Sequence, residues 1–88
     1  MMAHNGLAKL IEECGEVIQV AGKLLAYPAG PHPDGQGDLS QRLEDEIADV
    51  MAAARFVAQT HGLSRDRIAA RVFSKLALYD SWHSDPSN

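Results

Sequence analysis

Apolar residues recur three and four positions apart through three separate stretches of this chain, and no stretch alternates at two. That period admits helices and leaves no candidate strand. The first stretch, residues 4–26, carries Leu7, Leu10, Ile11, Cys14, Val17, Ile18, Ala21, Leu24 and Leu25 on one arc of about 140°. Asn5 is suited to cap its start, and Tyr27-Pro28 to end it, because the residue before a proline avoids helical geometry. Residues 27–38 hold three prolines and three glycines and read as a loop. The loop is long for a compact domain, and long loops are often functional. In the second stretch, residues 39–61, the arc is Leu43, Ile47, Val50, Met51, Ala54, Val57 and Ala58. Asp38 with Gln41, or Ser40 alone, caps its start, and Gly62 its end. Ser64 caps a third helix over residues 65–80, with Ile68, Val72, Leu76 and Tyr79 as one stripe and Ala69, Phe73 and Ala77 beside it. The polar tail from Ser81 is expected to fray. The expectation is an all-α helical bundle of about three helices per chain, a domain over 1–82 with a polar tail at 83–88.

Length sharpens this. A chain of 88 residues is one domain and buries only roughly 60–65% of its unfolded surface, so a lone core is marginal. Cys14 is the only cysteine, which excludes an intrachain disulfide and leaves a metal or oligomerisation as support. One thiol suits a reducing compartment, and Met1-Met2-Ala3-His4 has neither the charged nor the apolar part of a signal peptide, so the expected setting is the cytoplasm. No apolar run approaches the ~18–20 residues of a membrane span, and a net charge of −4 speaks against a nucleic-acid partner.

The charge is concentrated. Seven of the twelve acids fall in two clusters: Glu12, Glu13 and Glu16, then Glu44, Asp45, Glu46 and Asp49. The remaining five acids face eight Lys and Arg, so outside the clusters the chain is net +3. Glu13 and Glu16 are three apart, as are Glu46 and Asp49, and residues three apart are neighbours on a helix surface. Two such pairs on adjacent antiparallel helices bring four carboxylates together, a ligand set suited to hard cations such as Mg²⁺ or Mn²⁺.

Spacing alone favours a solvated charged face. Three observations favour the cation. First, the residues four on from Glu13, Glu16, Glu46 and Asp49 are Val17, Val20, Val50 and Ala53, not cations. Only the weaker reverse order occurs, at Lys9–Glu13 and Arg42–Glu46. Second, Glu12–Glu16 and Asp45–Asp49 are like-charge pairs, each unfavourable by about 0.2–0.5 kcal/mol. Third, the acids continue apolar lines: Glu46 and Asp49 lead to Ala53 and Phe56, and Glu13 and Glu16 to Val20 and Leu24. Acids in an apolar seam are partly buried, and buried carboxylates need cations or protons. A ferritin-like di-iron centre needs Glu-x-x-His on two helices, and no histidine stands three residues after any clustered glutamate.

The two halves, Leu10-Ile11-Glu12-Glu13-Cys14-Gly15-Glu16-Val17-Ile18 and Leu43-Glu44-Asp45-Glu46-Ile47-Ala48-Asp49-Val50-Met51, resemble the paired motif of the all-α nucleoside triphosphate pyrophosphohydrolases, the MazG-like family. The likeness is good over residues 7–58 and looser over the third helix. It implies a bundle completed as a homodimer or homotetramer, and cleavage of a nucleoside triphosphate between its α- and β-phosphates with Mg²⁺ or Mn²⁺. By position it makes Glu13, Glu16, Glu46 and Asp49 the metal ligands, and Glu12 a catalytic residue that positions or deprotonates water. Lys75 resembles a lysine the family often carries, while Tyr79 stands where some relatives have asparagine. Asn5 and Lys9 complete the substrate-binding candidates, with Lys23 also on the polar side of the first helix. A purine substrate such as dGTP is favoured without a residue that dictates it. The alternatives are a hydrolase of a phosphoribosyl nucleotide and a non-enzymatic oligomerisation module.

Overall fold

The computed structural model describes residues 6–27 and 32–84. They form three helices, α1 (Leu7–Ala26), α2 (Leu39–Thr60) and α3 (Arg65–Ser84), and no strand occurs among the described residues. None of these helices is long and apolar enough to cross a membrane.

The helix ends follow local chemistry. Ahead of α1 the capping position is Gly6, with φ 89° and no side-chain cap, in place of the expected Asn5, which lies outside the described residues. Glycine is needed there twice over. The backbone is left-handed, and a Cβ would sit 2.6 Å from Cδ2 of Phe56. Asp38 caps α2 by accepting from the Ser40 N–H at 3.0 Å. At the far end Gly62, φ 64°, lets the Leu63 N–H reach the Ala58 carbonyl at 2.9 Å, and its own N–H reaches Gln59 at 3.3 Å. That pair of bonds is a Schellman ending. Ser64 starts α3, its Oγ accepting from the Arg67 N–H at 3.0 Å.

The third helix runs four residues past its expected end. The Ser81 hydroxyl donates to the Leu78 carbonyl at 2.6 Å, and Trp82 packs on Tyr79 with ring centroids 5.3 Å apart. Residues 81–84 therefore hold helical geometry instead of fraying; the tail beyond, 85–88, lies outside the described residues.

Helices α1 and α2 pack antiparallel along their length, Gly6 against Phe56 and Val57 at one end and Lys23 and Arg42 meeting through Asp34 at the other. Among the described residues the buried apolar side chains are Val20, Leu39, Ala53 and Val57. Val20 and Ala53 lie on the two lines that the acids begin. The α1 arc is only half covered: Ile11, Ile18 and Leu25 remain 71–88% exposed. Helix α3 buries no residue, and its stripe of Ile68, Val72, Leu76 and Tyr79 stays 43–59% exposed, Ile68 and Val72 lining an open cleft shared with Met51, Ala54 and Ala58 of α2. The chain is correspondingly flat, 42 × 36 × 14 Å. Its radius of gyration is 16.0 Å, where a compact chain of this length has about 12 Å.

Candidate metal centre

The four acids predicted to converge do so. Glu13 and Glu16 stand one turn apart on α1, Glu46 and Asp49 one turn apart on α2, and each offers a carboxylate oxygen within 4.8 Å of the others. Glu13, Glu16 and Glu46 are half-buried and Asp49 is at the open edge. Two oxygens, Oε2 of Glu13 and Oε2 of Glu46, are buried without a hydrogen-bond partner. A buried acceptor left unmatched is costly, so these atoms fit a cation between the helices.

The electrostatics agree. Burial pushes the Glu13 carboxyl above its ordinary value, with the charges of Glu16 and Asp49 adding to it. Glu46 is raised first by the Glu16 carboxyl within hydrogen-bonding reach of it, then by burial and by the charges of Glu16, Asp49 and Glu13. Carboxylates crowded this way favour protons or a divalent cation. The donor set is all oxygen, suited to Mg²⁺ or Mn²⁺.

The remaining candidates occupy other places. Glu12 points outward, its side chain 55% exposed against 13% for Glu13, and takes an ion pair from Lys9 at 3.1 Å. Lys9 also approaches Glu13 at 4.0 Å, so it stands at one rim of the acidic site. Lys75 and Tyr79 line a groove on α3 with Arg67, Arg71 and Val72, and none of the four acids borders that groove. Asn5 lies outside the described residues.

Sequence reasoning missed a second charged cluster. Asp34, in the loop between α1 and α2, receives Lys23 of α1 at 2.8 Å and Arg42 of α2 at 3.3 Å. Arg42, four residues before Glu46 on α2, is thus paired with a loop carboxylate. The Lys23 ammonium, with help from the Gln36 N–H and from Arg42, holds the Asp34 carboxyl far below the usual carboxylate range. One signal was present in the chain. Lys23 follows Glu16 by seven residues and Arg42 precedes Glu46 by four, so both cations continue the acidic stripe towards the loop.

The family model for the MazG nucleotide pyrophosphohydrolase domain matches residues 3–80. No curated protein and no solved structure matches the chain significantly.

Proposed function

The chain belongs to the MazG nucleotide pyrophosphohydrolase family and is an enzyme of that class, and from this premise we propose a specific reaction and site. The substrate is a nucleoside triphosphate, cut between its α- and β-phosphates to give the monophosphate and pyrophosphate, with a purine deoxynucleotide such as dGTP as the favoured case. Glu13, Glu16, Glu46 and Asp49 hold Mg²⁺ or Mn²⁺. The observation that carries this reading is the pair of unpartnered buried oxygens, on Glu13 and Glu46, inside a ring of four carboxylates. A bound divalent ion supplies charge neutralisation for the polyphosphate and activation of water.

The protein's own groups then have distinct tasks. Glu12, outside the ring, is assigned the orientation or deprotonation of the attacking water. Lys9 at the rim, with Asn5 ahead of it in the chain, contacts the nucleotide. Lys75 and Tyr79 belong to the helix that its own chain leaves unpacked, so their part in holding substrate requires assembly. The proposed assembly is a homodimer or homotetramer in the cytoplasm, where the exposed Cys14 thiol stays reduced. Its support is the apolar surface left open on α1 and α3 in a chain too flat to form one core.

The test is turnover of the eight common NTPs and dNTPs with Mg²⁺ or Mn²⁺, products separated by anion exchange, beside the Glu13→Gln/Asp49→Asn double variant. Monophosphate plus pyrophosphate, lost in the variant, is the expected result. No turnover of any of the eight with either ion contradicts the reading.

A further inference from the structure

The cluster at the loop end of the acidic seam carries an inference about the same reaction. On the helical wheel Lys23 falls about 20° from Glu16, and Arg42 falls between Glu46 and Asp49. Counted along the helices, Arg42 stands about 6 Å before Glu46 and Lys23 about 10 Å beyond Glu16. The two cations therefore lie on the same sides of α1 and α2 as the four carboxylates, about one to two turns nearer the loop. A cation bound between the acids cannot neutralise every phosphate of such a ligand, and fixed positive charge one turn further along suits the remainder.

The group these cations now hold is poorly fitted to them. Asp34 brings one negative charge against two positive ones. Lys23 makes a short contact, but Arg42 offers only Nη1, bifurcated to the two carboxylate oxygens at 3.3 and 3.4 Å. A guanidinium can bind an oxyanion through two parallel bonds, and that geometry is unused here. Nδ1 of His32 accepts the Asp34 N–H at 3.0 Å, so it turns a lone pair, not a proton, towards Oδ2 of Asp34 3.2 Å away. Asp34 is also on a loop. Its withdrawal unwinds neither α1 nor α2, and the turn it makes to the Gln36 N–H uses Oδ1.

We propose that Lys23 and Arg42 form a phosphate subsite at the loop end of the metal-binding groove, and that Asp34 occupies it as a carboxylate stand-in until a phosphate of the substrate displaces it. This rests on the pyrophosphohydrolase reading for its substrate, and on the Lys23–Asp34–Arg42 geometry for its site.

The experiment uses the full chain saturated with Mn²⁺. Tripolyphosphate affinity is measured by calorimetry, KM is measured on the nucleotide turned over best, and Mn²⁺ affinity is measured separately by paramagnetic resonance. Asp34→Asn keeps the turn to Gln36 but removes the competing charge. It is expected to tighten tripolyphosphate and lower KM by about fivefold, near 1 kcal/mol. Arg42→Gln and Lys23→Gln are expected to weaken both by about tenfold, leaving Mn²⁺ affinity unchanged. Unchanged or weaker tripolyphosphate binding in Asp34→Asn overturns the proposal and makes Asp34 a plain tie between helices. Should that variant fail to fold, unaltered tripolyphosphate affinity in Arg42→Gln and Lys23→Gln overturns it equally. A chain that turns over no nucleotide yet shows these tripolyphosphate shifts loses the activity and keeps the subsite. Turnover without the shifts does the reverse.

Discussion

The seam between α1 and α2 and the outer face of α3 are written in the same pattern, apolar residues at three and four with charges alongside. In the seam, Val20, Ala53 and Val57 are buried and the acids at its edge are drawn in with them. On α3, Ile68, Val72, Leu76 and Tyr79 stand in the open beside Arg67, Arg71 and Lys75. The difference lies in close approach. Gly6 and the small, buried Ala53 let α1 and α2 meet, and Asp34 pairs with a cation of each helix at the loop end. Gly62 ends α2 in a Schellman turn that sends α3 away. A helical stripe therefore states that a partner exists without stating whether the same chain supplies it.

The strongest way to break that contrast is a charge in each region. Val57→Asp buries an unpaired carboxylate and is expected to cost more than about 3 kcal/mol, enough to unfold a chain this small. Leu76→Asp, at a position 59% exposed, is expected to leave the α1–α2 helicity intact and to lower the assembled mass. Circular dichroism against urea and sedimentation read the two effects. Equal destabilisation by both would mean that α3 packs within its own chain.

A smaller effect probes how the seam closes. Gly6→Ala adds a Cβ at a left-handed position, 2.6 Å from the Phe56 ring. The half-exposed ring can shift, so the expected loss is about 1–3 kcal/mol in urea unfolding, mostly backbone strain. No change would mean that the α1 entry does not control the approach of the helices.

The smallest effect is on pH, and it separates the acids of the seam from Asp34. Glu13 and Glu46 are raised above their ordinary values, so the folded chain holds protons more tightly than the unfolded one. Their contribution is fully present below the ordinary carboxylate range and is lost as pH rises through the raised values. The metal-free Tm is therefore expected to rise as pH is lowered from neutrality towards the ordinary carboxylate range. Asp34 is lowered, so its contribution persists above the ordinary range and fades only below that window. Added Mn²⁺ at neutral pH takes the place of the protons and flattens the rise. A metal-free Tm that falls across this window contradicts the crowding at Glu13 and Glu46.

Much of this was legible in the chain because it is local. The capping roles of Asp38, Ser64 and Gly62 follow from the few bonds each residue can make, and the i,i+3 acids had to share a face. What was illegible depends on contacts far apart in sequence. The start of α1 falls at Gly6, where a Cβ would meet Phe56 and Val57, residues fifty positions further along the chain. Arg42 pairs with a loop carboxylate eight residues earlier, a contact that no helical period reveals. Ser81–Ser84 stayed helical through a Tyr79–Trp82 contact that polarity does not reveal. The exposed half of the α1 arc could not be told from the buried half, since both obey one period.

The central claim is that Glu13, Glu16, Glu46 and Asp49 form a divalent-cation site, and Mn²⁺ titration followed by paramagnetic resonance tests it without reference to any substrate. The wild-type chain is expected to bind Mn²⁺, and Glu13→Gln/Glu46→Gln to lose about a hundredfold or more in affinity, since even outer-shell changes cost up to that much. Helix content is expected to be unchanged in the variant. Equal Mn²⁺ affinity in the two proteins would contradict the account.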